Sequence, residues 1–76
     1  MLCYTTGEFR GQELKTGKNG NSYYIIYFEE LNTGKSFNMM STNPYDIIKG
    51  TECRINFDLT IGSTYTRVKI TSIEEM

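Results

Sequence analysis

The chain has 76 residues, eight Lys or Arg against nine Asp or Glu, a net charge of −1, and neither His nor Trp. That length makes one domain (1–76) with a single modest core, near the lower limit for folding without staples, so pairing with a second copy would add stability. The near-neutral balance excludes a general polycation that coats nucleic acid by charge alone, though a local basic surface remains open to it.

Two of the acids, Glu74 and Glu75, lie in the acidic C-terminal end 74–76, so residues 1–73 carry eight bases and seven acids. Without His or a CxxC pair, a zinc or redox-active site has almost no ligands, and no metal or cofactor is expected. Cys3 and Cys53 are one pair of cysteines, too few for a disulfide framework, and their spacing does not demand a bridge. Residues 1–6 lack the charged start and apolar run of a signal peptide, and no segment reaches membrane-spanning length. The expected location is the cytoplasm.

Short runs of β-branched and aromatic residues between turn signals read as five strands, with no long amphipathic helix. The first covers about Cys3 to Leu14. Phe9 marks its apolar face, but Leu14 is out of period-2 phase with Phe9, and a bulge near Gly11 would repair the slip and bend the strand. The second runs from Ser22 to Leu31 and is apolar or aromatic on both faces. Phe28 has no polar handle, so Tyr24, Ile26 and Phe28 are assigned inward and Tyr23, Ile25 and Tyr27 outward. Asn32-Thr33-Gly34-Lys35 is a tight hairpin turn. In the third strand, Ser36 to Ser41, Phe37 and Met39 are the expected buried pair.

Asn43-Pro44-Tyr45-Asp46-Ile47-Ile48-Lys49-Gly50 then interrupts the strands. Asn43 can cap one helical turn with Pro44 at its first position, ended by Gly50. The fourth strand, Glu52 to Ile61, alternates, with Cys53, Ile55, Phe57, Leu59 and Ile61 inward and Arg54, Asn56, Asp58 and Thr60 outward. After a Gly62-Ser63-Thr64 turn, the fifth covers Thr66 to Ile73, with Val68 and Ile70 inward and Arg67 and Lys69 outward. Five strands, a bulged first strand and a short helical or irregular link between strands three and four fit an all-β, five-stranded OB-fold-like barrel.

The loop Lys15-Thr16-Gly17-Lys18-Asn19-Gly20-Asn21-Ser22 hands directly into the aromatic second strand. Its glycines allow a tight turn, and two lysines without an adjacent acid make it locally cationic. Tyr23 and Tyr27 share a strand face on which their rings lie near each other to receive successive bases. Cation beside stacking platform is the physical recipe for holding a single-stranded nucleic acid. Lys35, Arg54, Arg67 and Lys69 are further outward cations that can line one groove with Lys15 and Lys18. Glu29 and Glu30 point to opposite strand faces and cannot work as an acid–base pair. Gly17-Lys18-Asn19-Gly20 lacks the spacing and the following helix of a phosphate-binding P-loop. Catalysis is not expected.

Gly20-Asn21-Ser22-Tyr23, Gly50 ahead of a strand containing Asp58, and the Gly62 turn before Arg67-Val68-Lys69-Ile70 give residues 5–73 a layout that resembles the small helix-destabilising proteins of filamentous phages. Bacterial single-strand-binding proteins and their plasmid and phage relatives are similar in the same way. The resemblance implies an OB-fold binder of single-stranded DNA that pairs as a homodimer and acts in replication or transfer of a phage or other mobile element. Carried over by position, it makes Tyr23 the stacking tyrosine, Lys15 and Lys18 the basic loop residues, and Tyr65 the later loop aromatic that meets DNA or a neighbouring protomer. Single-stranded DNA is the expected partner, with RNA as the alternative, and neither a membrane nor a small-molecule substrate is expected. The competing reading is a small β-barrel or phage-encoded inhibitor that binds a protein through Tyr23, Ile25 and Tyr27.

Overall fold

In the computed structural model, which describes residues 1–76, five strands form the fold: β1 (Leu2–Thr16), β2 (Ser22–Glu30), β3 (Ser36–Ser41), β4 (Glu52–Ile61) and β5 (Thr66–Glu75). They close into a barrel in the order β1-β2-β3-β5-β4. All pairings are antiparallel except that of β3 with β5, which meet in parallel at Met40↔Lys69. Five-stranded closure with this order is an OB-fold-like barrel.

β1 serves two neighbours. It pairs with β4 from Leu2↔Asp58 to Glu8↔Glu52, and with β2 from Gly7↔Glu30 to Thr16↔Ser22. Arg10 is the extra residue between these halves, because the register steps from Phe9↔Phe28 to Gly11↔Tyr27. This is the bulge that the Phe9–Leu14 phase slip requires, and it bends the strand so that both ends can join a barrel. Gly11 holds φ 140°, a conformation side-chain-bearing residues rarely adopt.

The core is Phe9, Ile26, Phe28, Met39, Cys53, Ile55 and Ile70, with Tyr24, Phe37, Tyr45, Ile47, Phe57, Val68 and Ile73 packed against it. Phe28 meets Phe9 edge-on at 6.2 Å and stacks on Phe37 at 5.3 Å. The inward faces of β2 and β3 are therefore those their alternation predicts. A second bulge, unsignalled in the sequence, lies in β5. Ser72 pairs with Asn56 but Ile70 with Phe57, leaving Thr71 over, so Ile70 and Ile73 both reach the core despite their odd spacing. Cys3 and Cys53 are free thiols, and burial pushes that of Cys53 above its usual pKa.

One open alternative resolves and two local expectations are corrected. Between β3 and β4 the link takes the irregular form, with no helical turn. The Gln12 side chain donates to the Tyr45 carbonyl at 2.9 Å and accepts from the Tyr45 amide at 3.0 Å, engaging backbone groups that a helical turn would draw on. Phe9 adds backbone bonds to Gly50 and Thr51, so β1 clamps the link from end to end. Ile61 keeps its face in the alternation of β4 yet is 66 % exposed. The β1–β4 ladder stops at Leu2↔Asp58, so no third strand covers it. Leu14, 57 % exposed, repeats this at the other end: the bulge puts it beside inward-facing Tyr24, but on a β1–β2 hairpin that overruns the barrel. No helix is long and apolar enough to cross a membrane.

Candidate nucleic-acid interface

Residues paired across a ladder share a face of the sheet, so the register maps the outside of the barrel directly. One row runs Glu13–Ile25–Met40–Lys69–Asp58, through β1, β2, β3, β5 and β4. On one side of it lies the pair Lys15–Tyr23, and on the other the row Gly11–Tyr27–Asn38. Gly11 adds no side chain, which leaves the Tyr27 ring open toward β1. Strand alternation puts Arg67 on the same face of β5 as Lys69. Tyr65 precedes them in the β4–β5 loop, its ring packed over Gly62, where a Cβ would lie only 2.5 Å from it. The Arg67 guanidinium sits 5.9 Å from the centre of the Tyr65 ring.

Closure of the barrel at Met40↔Lys69 therefore joins the aromatic strand β2 to the cationic strand β5 on one continuous outer surface. Lys15, Lys18, Tyr23, Tyr27, Tyr65, Arg67 and Lys69 belong to this surface or the loops bordering it. Lys35 lies in the β2–β3 turn, outside the strand register that maps this surface. Arg54 is on another sector of the wall: it pairs with Thr6 of β1 and Glu74 of β5, and its guanidinium lies 4.0 Å over the ring of Tyr4. A single groove containing all nine candidates is not what the fold builds.

Two further expectations change with the geometry. Lys15 is not free of acids, because Glu13 lies two residues back on the same face and its Oε1 is 2.5 Å from the Lys15 Nζ. That hydrogen bond and the carboxylate's charge raise the ammonium pKa above its ordinary 10.5. Lys18, Arg67 and Lys69 make no ion pair, and neither do Lys35, Lys49 and Arg54, although Lys69 stands opposite Asp58 in the β4–β5 register. Tyr23 and Tyr27 are separated by Ile25, and four residues of strand at ~3.3 Å each put their Cα atoms roughly 13 Å apart. Successive bases cannot stack on both rings. A bound strand would instead pass an intervening segment over Ile25 and Met40.

Arg10 has no counterpart among the sequence candidates. As the bulged residue it escapes the strict alternation of β1, and its guanidinium makes only a loose ion pair with Glu8, at 3.5 Å. Together with Tyr27, Phe28, Glu29, Ser36, Phe37 and Asn38 it lines an open cavity of about 280 Å³. The one sequence signal for it was the bulge, since bulges re-aim side chains. The neighbouring carboxylates divide their work. Glu30 accepts from the Asn32 amide (3.1 Å), the Thr33 amide (2.7 Å) and the Thr33 hydroxyl (2.8 Å), which holds its pKa below the usual range, whereas Glu29 lines the cavity.

No family model matches the chain, and the searches of curated proteins and of solved structures find no significant match either.

Proposed function

We propose that the protein binds single-stranded DNA across the outer surface of β2, β3 and β5, as part of the replication or transfer of a phage or other mobile element. The observation that supports this reading is the closure at Met40↔Lys69, which puts the tyrosines of β2 on the same outer surface as Arg67 and Lys69 of β5, one strand apart across β3. Stacking on Tyr23, Tyr27 and Tyr65 supplies sequence-tolerant affinity, and Lys18, Arg67 and Lys69 contact phosphates. The mobile-element setting, and with it the cytoplasm, comes from the resemblance in layout alone. A homodimer belongs to the same proposal, motivated by the small core and by apolar Ile25 on the outer wall.

The test is fluorescence anisotropy with oligo-dT and with duplex of equal length, over a range of salt. The single strand should bind more tightly, with an affinity that falls by only a few released ions as salt rises, because a net-acidic domain neutralises few phosphates. Folded protein that binds neither at low salt refutes the proposal.

One observation favours a second reading. Ile25 and Met40 are neighbours at the centre of the surface, and an apolar centre ringed by polar residues also suits a protein partner. Absence of DNA binding would transfer the same surface to that role.

A further inference from the structure

Tyr27 and Glu29 project from the outer face of β2, and Ser36 and Asn38 from that of β3. The pairs Tyr27↔Asn38 and Glu29↔Ser36 make these four a compact block. With Phe28, Phe37 and the bulged Arg10 they line the open cavity of about 280 Å³. That volume is at the small end for a ligand pocket and suits one planar ring system better than an extended molecule.

The polar groups here are unspent. Glu29 and Asn38 take part in no side-chain hydrogen bond or ion pair, while Glu30, one residue on, is fully engaged by its own turn. Arg10 has only its loose contact with Glu8. The cavity therefore offers an aromatic face, a carboxylate acceptor and a guanidinium donor.

We propose that this cavity is a base-reading subsite for guanine within the single-strand-binding surface, an inference that rests on the nucleic-acid reading above. Guanine alone among the DNA bases has two adjacent donors on its Watson–Crick edge, N1–H and N2–H, which together match a carboxylate such as that of Glu29. Its adjoining major-groove edge carries the acceptors O6 and N7, the pair a guanidinium recognises. Thymine would turn two carbonyl oxygens toward Glu29 around a single N–H, and the carboxylate repels them. Adenine and cytosine each place a ring acceptor beside their one amino donor. The protein thus combines a sequence-tolerant surface with one position that is read, and Tyr27 supplies the stacking wall of that position.

The test uses the wild-type protein and three fluorescent single strands: oligo-dT, the same oligomer with one central dG, and the same oligomer with inosine at that place. The dG strand should bind at least about fivefold more tightly than oligo-dT, the lower bound for one bidentate base contact. Inosine lacks the N2 donor and should lose most of that gain. In Glu29→Gln the ratio of dG to dT affinity should fall toward one, partly because dT binds better once the carboxylate is gone. Equal affinity for all three strands, with tight binding to oligo-dT, overturns the guanine site and leaves the surface intact. Binding to none of them removes both.

Discussion

Replacing Tyr27 by Ala separates its two duties, packing and stacking. The side chain is 38 % exposed, so about three-fifths of it is covered, and losing that cover costs about 1–2 kcal/mol of stability if full burial of a large side chain contributes about 1.5–3 kcal/mol. A core truncation would cost far more: Phe28→Ala, at a residue 1 % exposed, should lose about 3–5 kcal/mol. If a base stacks on Tyr27, the alanine variant also loses about 1–3 kcal/mol of binding, a rise in Kd of roughly 5- to 150-fold for oligo-dT. Tyr27→Phe keeps the ring and should hold most of both. Urea unfolding gives the first quantity, and anisotropy at a temperature where all variants are folded gives the second. The reasoning is refuted if Tyr27→Ala binds within twofold of wild type, or if Tyr27→Phe loses as much affinity as the alanine variant.

Gln12→Ala removes both hydrogen bonds to Tyr45 and should cost about 1–3 kcal/mol, with faster amide exchange through residues 43–48 as the local readout. Unchanged exchange there would mean that Phe9, Gly50 and Thr51 hold the link without Gln12. Glu30 gives a signed pH dependence. Its folded-state pKa lies below the ordinary 4.5, so its contribution is complete above that value and is lost as the pH falls through the lowered one. Glu30→Gln should therefore lower the melting temperature at neutral pH and flatten its decline in acid, and a parallel shift at every pH would contradict this.

The sequence was most informative where local rules are decisive. The bulge followed from Phe9, Gly11 and Leu14, since a phase slip beside a glycine has few other remedies. The inward residues of β2 followed from Phe28, which has no polar group to satisfy, and those of β3 from Asn38, which would need a buried partner. Long-range geometry was harder to read. Nothing near Pro44 announces that Gln12, 33 residues before Tyr45, will engage the link's backbone. Ile61 and Leu14 alternate correctly, but alternation does not say where a neighbouring strand stops. It likewise gives outward for Arg54 without saying which sector of the barrel wall that is, and Arg54 turned out to accompany Tyr4 rather than Tyr23. The Glu13–Lys15 pair was legible, because residues two apart on a strand share a face. Arg10 was hidden by the same rule, being the one residue the bulge releases from it.

The central claim, that nucleic acid lies across β2, β3 and β5, is tested most directly by following backbone amide resonances as oligo-dT is added to the isotope-labelled protein. The account predicts that the largest changes fall at Tyr23, Tyr27, Met40, Arg67 and Lys69, with Tyr4 and Arg54 on the other sector little affected. Changes centred on Tyr4 and Arg54, or none at saturating DNA, would contradict it.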